Sequence, residues 1–316
     1  VHLAIDHEVY RFRLRCLEPM RLPAYKGSAL RGVFGHCFKA VVCALRREEC
    51  PTCLVRASCT YQRVFETRVA PGEGPRRGVD AAPHPYVLGV EPEGRTEYGP
   101  GEEVTCTLTL LGPALGILPY LVYTFQEVGR RGLTPAGRPL ALRLVEALGT
   151  EGWRTVYEEG AAQLAEARAP APPPPVPDLS RGAAVELVTP LRLQDRGELC
   201  RRLDFGTLFL AAWRRLGLLA RYYGAGQPAF DRELLDASRA VAAAGPDLRW
   251  HDWTRYSNRQ KRTMQLGGLV GEVAFAGDLS PFAPWLAWAG RLHLGKATSF
   301  GLGEIRVRPL PAGGRP

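Results

Sequence analysis

Residues 35–43 read GHCFKAVVC, placing one histidine, one lysine and two cysteines within nine positions. An imidazole titrates where a group can both take and give a proton, so His36 is a candidate general acid–base residue. Lys39, three residues on, falls within a side chain's reach of the same spot on a helix. Cys43 opens a second pattern, CALRREECPTCLVRASC, in which Cys43, Cys50, Cys53 and Cys59 are spaced C-x6-C-x2-C-x5-C. The central C-P-T-C can present two thiolates to one ion, and four thiolates suit a closed tetrahedral zinc site, structural rather than catalytic. A four-cysteine iron–sulfur cluster is one alternative, and four unrelated reduced thiols are another. His36 and Cys43 would stand roughly 10 Å apart along a helix axis. That is too far to share one ion, so His36 is read as acid–base or surface rather than as a ligand.

Two further stretches could act on phosphates. HLGKATSFGLGEIRV, His293–Val307, nearly spells a nucleotide-binding P-loop, but Ala297 follows Lys296 where that motif needs Ser or Thr. The expected order is also helix–loop–strand, the reverse of what a P-loop requires. A glycine-rich connection remains, whose amides, with Lys296, Thr298 and Ser299, could cradle the phosphates of a polymer. A tight helix-to-strand turn is the plainer reading. In RWHDWTRYSNRQKRTMQ, Arg255, Arg259, Lys261 and Arg262 bracket Trp253 and Tyr256. Cations that pair with phosphates beside aromatics that stack on bases suit RNA, and a solvated hairpin tip is the alternative. His251 is held as a reserve catalyst.

These residues need elements to carry them. A helix is expected from Ser28 to Arg46, with Ser28 as N-cap. On it Leu30, Val33, Phe34, Cys37, Val41 and Leu45 share an apolar face, while His36 lies away from that stripe beside Ala29, Gly32 and Ala40. Strands are expected at LAIDHEVYRFRLRCLEP, YVLGVEP, EVTCTLTLLGP and PLALRLVEALG, with a second helix at LPYLVYTFQEVGRRG. The order then repeats: strand AAVELVTPLRL, helix FGTLFLAAWRRLGLLARYYG, strands LRWHDWTRYS and QLGGLVGEVAFAG, helix SPFAPWLAWAGRL, strand GEIRVRPL. Both halves fit β-α-β-β-α-β. The expected class is α+β, with tandem duplicated ferredoxin-like (RRM-like) domains and a cysteine-rich metal-binding insertion. The domains are drawn at 1–166, with the insertion at 43–59, and at 181–316, with the glycine-rich loop. Between them, 167–180 holds a proline run that suits an extended linker.

The net charge of +9 over 316 residues favours an anionic partner such as nucleic acid. No long aliphatic run suggests a membrane span. No N-terminal segment reads as a signal peptide, so a cytoplasmic location is expected, and eight cysteines there argue against a disulfide framework.

HLGKATSFGLGEI at the last helix-to-strand turn, together with ALRGVFGHCFKAVV, resembles the RAMP superfamily, and within it the CRISPR-associated endoribonucleases that process precursor CRISPR RNA. Gly295, Gly301 and Gly303 match the family's G-x-G, five residues, G-x-G, with His293 where the first glycine would stand. The resemblance implies metal-independent cleavage: the ribose 2′-hydroxyl attacks the adjacent phosphate, leaving a 2′,3′-cyclic phosphate and a 5′-hydroxyl. It selects His36 as acid–base residue, with Tyr25 and Lys39 as the nearest tyrosine and lysine. It implies CRISPR repeat RNA as partner, effector-complex subunits besides, and a monomer or homodimer. The cysteine cluster is not a general family feature and rests on its spacing. A non-catalytic RAMP subunit that holds CRISPR RNA in an effector complex is the alternative, and a zinc-stabilised scaffold for protein contacts is a third.

Overall fold

The computed structural model describes residues 3–311 apart from 47–49, 51, 70, 71, 76–80, 93, 167, 196, 253 and 258–261; at 254–257 and 262–265 it describes the backbone. Among these residues no helix is long and apolar enough to cross a membrane. The chain divides into two compact units: Ala4–Pro172 with Arg221–Gly226, and Pro173–Ala220 with Leu3 and the chain from Gln227 onward. The division falls inside the proline-rich stretch.

The first unit runs β1 (His7–Cys16), α1 (Gly27–Val42), β2 (Tyr86–Val90), β3 (Glu103–Leu111), α2 (Leu118–Arg131), β4 (Leu140–Gly149) and β5 (Gly152–Glu158). Its antiparallel sheet has the order β2-β3-β1-β4-β5. Alternation along β1 sets its two faces, because successive side chains of a strand point to opposite sides. Tyr10, Phe12, Leu14 and Cys16 are buried, whereas Arg11, Arg13 and Arg15 are half-exposed. Phe12 stacks on Phe125 of α2 at 4.0 Å, and Phe34 of α1 stacks on Phe125 at 5.5 Å. This aromatic cluster holds α1 against the sheet. On the other face, Glu146 takes hydrogen bonds from both Arg11 and Arg13 at 2.8 Å, and these arginines hold its carboxyl below the usual carboxylate range.

The proline-rich stretch is tied down where it leaves this unit. Pro170 bridges to Glu8, and the amide of Ala171 donates to His7. Glu8 is fully buried, and it accepts from Arg168, Tyr10 and the amide of Gly116. A buried carboxylate needs such partners.

The second unit repeats the plan: β6 (Gly182–Leu191), α3 (Phe205–Tyr223), α4 (Arg232–Ala240), β7 (Ala243–His251), β8 (Gly268–Ala276), α5 (Ala283–Leu292) and β9 (Ile305–Pro309). Its antiparallel sheet runs β7-β8-β6-β9. Setting aside the added β5, both sheets therefore order their four strands as second, third, first, fourth. Phe275 of β8 meets Phe205 of α3 at 5.0 Å, and Phe209 packs on Trp285 of α5 at 5.9 Å. Thr254–Ser257 and Arg262–Gln265 form a small hairpin between β7 and β8.

Helix α1 departs from expectation at both ends. It starts at Gly27, with Lys26 at the cap position and no side-chain cap bond, so Ser28 sits inside the first turn. It stops at Val42, because Cys43 turns to an extended conformation with ψ of 99°. Leu45 therefore lies beyond the helix and is 41% exposed.

Candidate functional site

Helix α1 buries Leu30, Phe34, Cys37 and Phe38 and turns Gly32, His36 and Ala40 outward. His36 is exposed on a ridge of small residues, where a polymer backbone can approach closely. Gly35 allows this packing from behind: a Cβ there would come within 2.9 Å of the Phe65 ring. Lys39 is half-exposed one turn on, with its ammonium 5.8 Å from the centre of the Tyr61 ring. Tyr25 is placed elsewhere. It is 5% exposed and precedes α1, whereas His36 lies ~14 Å along the axis from the first helical residue by helical rise. The structure keeps His36 and Lys39 on one helix and leaves Tyr25 in the core.

The amide of Cys53 donates to the Cys50 carbonyl at 3.3 Å, and a 3-10 turn at Arg56–Ser58 leads into Cys59. Cys43, Cys50, Cys53 and Cys59 all line one cavity of about 290 Å³, together with Lys39 and Arg56. Among the described residues no three His, Cys, Asp or Glu side chains stand close enough to share an ion.

The glycine-rich connection of the second unit is more tightly built than its sequence suggests. Gly295, Gly301 and Gly303 have φ of 75°, 86° and 76°, a region that glycine enters without steric cost. At Gly303 the need is also spatial, since a Cβ there would sit 1.8 Å from the Leu294 carbonyl oxygen. The amide of Gly303 donates to Pro190, Gly301 to Thr298, Leu302 to Ala297 and Lys296 to Arg192. The expectation that these amides face phosphates therefore gives way to an internal network, in which the backbone satisfies its own buried groups. Ser299, Gly301 and Gly303 are buried, and Lys296 is exposed.

Arg215 of α3 holds this connection from beneath. Its Nε donates to the His293 carbonyl at 2.9 Å, and one terminal nitrogen donates to Leu292 at 3.2 Å and to the Thr298 hydroxyl at 2.9 Å. Sequence reasoning missed it. The available signal was an arginine on the apolar side of α3, in line with Leu208, Ala212 and Leu219. His293 takes the first-glycine position with a left-handed φ of 54°. Its Nδ1–H donates to the Leu302 carbonyl at 3.3 Å. Burial, and secondly the nearby charge of Arg215, push its pKa down to about 3, so it stays neutral.

Of the basic hairpin, Arg259 and Lys261 lie outside the described residues, as does Trp253. Arg255 pairs in register with Met264, and Arg262 with Ser257. His251 closes β7 opposite Gly268 and is half-buried.

Comparison with known proteins follows the same two-part division. Residues 5–169 match the family model of the AF_1859 N-terminal domain, and residues 185–305 match that of the CRISPR-associated endoribonuclease Cas6. An uncharacterized protein of Archaeoglobus fulgidus is 25% identical over 317 residues, covering 97% of this chain and 100% of the relative. Among solved structures, a partial Cas6-RT-Cas1–Cas2 complex matches with a TM-score of 0.60 at 11% identity, over 97% of this chain. This chain spans 47% of that longer one. A Cas6 product complex matches with a TM-score of 0.55 at 16% identity, covering 96% and 100% of the two chains. Thermus thermophilus Cas6 matches at 0.52 and 14% identity, over 96% and 99%. At such identities these structures establish a common fold, and the family models add the lineage. The chain belongs to the family of the AF_1859 N-terminal domain through residues 5–169, and its residues 185–305 carry the match to the CRISPR-associated endoribonuclease Cas6.

Proposed function

We propose that this endoribonuclease cuts precursor CRISPR RNA within its repeats and needs no catalytic metal. The reading takes the chain as two ferredoxin-like halves in tandem, acting on RNA and serving CRISPR complexes in the cytoplasm. The ribose 2′-oxygen attacks the adjacent phosphorus and the 5′-oxygen leaves, giving a 2′,3′-cyclic phosphate and a 5′-hydroxyl. His36 moves the proton, as base toward the 2′-hydroxyl or as acid toward the leaving oxygen. The Lys39 ammonium, one turn away, offsets the charge that builds on the phosphorane.

One observation supports this most: His36 is exposed among small residues on a helix whose opposite face is anchored by Phe34 and Phe38. A firmly seated helix presenting an accessible imidazole makes that group reachable by a substrate, which proton transfer needs first. The core position of Tyr25 supports a second reading, in which the chain holds CRISPR RNA without cutting it.

The test uses wild-type chain and His36→Ala with a labelled RNA that carries the cognate repeat, in brief incubations with EDTA. A single cut ending in cyclic phosphate, lost in the variant, is expected. Tight binding without a cut establishes the second reading instead. Cutting that survives the substitution moves the chemistry to another residue, with His251 the next to replace.

A further inference from the structure

We infer that Cys43, Cys50, Cys53 and Cys59 form a structural site for one zinc ion, closed by four thiolates, beside the end of α1. Two independent observations meet there. In sequence the four cysteines are spaced C-x6-C-x2-C-x5-C; in space all four line one cavity of about 290 Å³. The Cys53 amide donates to the Cys50 carbonyl, which holds these two cysteines, three positions apart, close together.

The surroundings explain why this segment needs an ion. Among the described residues between Cys43 and Tyr61, none is buried. Leu54 is 87% exposed, and Leu45 and Val55 are 41% and 42% exposed. A segment without an apolar core does not hold its shape by burial, and a structural metal is a common substitute. The four cysteines are half-buried, while Ala44, Leu45, Leu54, Val55 and Ala57 beside them are exposed. The segment thus leaves its aliphatic side chains exposed, against their ordinary preference, and Ala44, Leu45 and Val55 share the cavity with the thiols.

Charge agrees with this assignment. One Zn²⁺ with four thiolates carries two net negative charges, and Lys39 and Arg56 line the same cavity. Binding is written as Zn²⁺ plus four Cys–SH giving Zn(S–Cys)₄²⁻ plus four H⁺. The thiols surround the cavity without converging on one point, so the ion draws them together. The site shares Lys39 with the cleavage reading, since that side chain lines the cavity and stands one turn from His36, but the metal readouts below do not depend on cleavage.

The experiment uses the full chain, reduced and stripped of metal. Titration with Co²⁺ is expected to produce the intense thiolate-to-cobalt charge-transfer band and the visible bands of tetrahedral cobalt, both erased by an equivalent of Zn²⁺. Zn²⁺ is also expected to release protons and to shield the four cysteines from iodoacetamide, read peptide by peptide. Cys50→Ser with Cys53→Ser should abolish the bands, and Cys200→Ser should leave them. If the double variant does not fold, the wild-type spectrum and the alkylation map decide. Cobalt bound without a thiolate band, or alkylation unchanged by Zn²⁺, overturns the site. A brown protein as purified, with iron and acid-labile sulfide on these cysteines, overturns zinc in favour of an iron–sulfur cluster.

Discussion

The outward face of α1 and the glycine-rich connection of the second unit solve opposite problems. Around His36 the chain presents small residues and an exposed imidazole, and all of its apolar packing lies behind. In the connection, Ser299, Gly301 and Gly303 are buried, and the amides of Lys296, Gly301, Leu302 and Gly303 already donate within the chain. A group that transfers protons must be reachable, whereas a loop that shapes a surface must keep its form. On the proposed reading the connection is a rigid platform with Lys296 as its outward charge, and α1 carries the proton chemistry.

Substitution at His36 gives the sharpest test of that contrast. His36→Ala should slow repeat cleavage by about 10²- to 10⁴-fold and leave the thermal midpoint unchanged, since the side chain is exposed. A drop in the midpoint of more than a degree or two would break the contrast by making His36 structural. Gly303→Ala should do the reverse. A Cβ 1.8 Å from a carbonyl oxygen, at φ of 76°, forces the backbone to move. The expected loss is about 4 kcal/mol in urea denaturation.

Arg215→Ala should cost roughly 2 kcal/mol, because it leaves the Leu292 and His293 carbonyls and the Thr298 hydroxyl without their charged donor. As a positioning residue it should also weaken RNA affinity with little change in the cleavage rate at saturation. Arg215→Lys should restore part of the stability and less of the affinity, since one ammonium cannot reproduce the fork of bonds. Equal losses in affinity and saturated rate would show that the platform and the chemistry are not separable.

A further test concerns pH. His293 is neutral in the folded chain, with its pKa near 3 against an ordinary 6.5. As pH falls below 6.5 the unfolded chain takes up a proton that the folded chain refuses. Stability should therefore decline toward acid by at most about 1.4 kcal/mol per pH unit between those values. It should be flat on this account above pH 6.5. Comparing thermal midpoints of wild type and His293→Gly from pH 7 to 4 isolates the contribution, and the variant should show the shallower slope.

Much of the scaffold was legible because it rests on short-range patterns. Alternation along β1 and the three-and-four spacing in α3 each report which side of an element is apolar, and both elements stand where that spacing puts them. The same logic turned His36 outward. It failed at the edges of α1. Ser28 looked like a cap, but the helix begins a residue earlier, and Phe38 is fully buried although it was left out of the apolar face. A cap depends on where the preceding chain enters, and here Lys26 enters already helical, with φ of −82° and ψ of −19°.

The remainder depended on contacts across long stretches of chain. No local pattern announces that Arg215 will bond to residues 77 to 83 positions away, or that the Lys296 amide will be taken by Arg192. A glycine-rich run states that the backbone bends and approaches something closely; it does not state whether that is a phosphate or its own neighbour. The amino-acid sequence by itself determined most of the elements, β5 and α4 excepted, and the outward face of α1, because these follow from the periodicity of a few adjacent residues. The tertiary structure alone decided that Tyr25 is core, that Arg215 holds the glycine-rich connection and that the amides of Gly301 and Gly303 donate within the chain. Those outcomes depend on which distant groups packing brings within bonding distance.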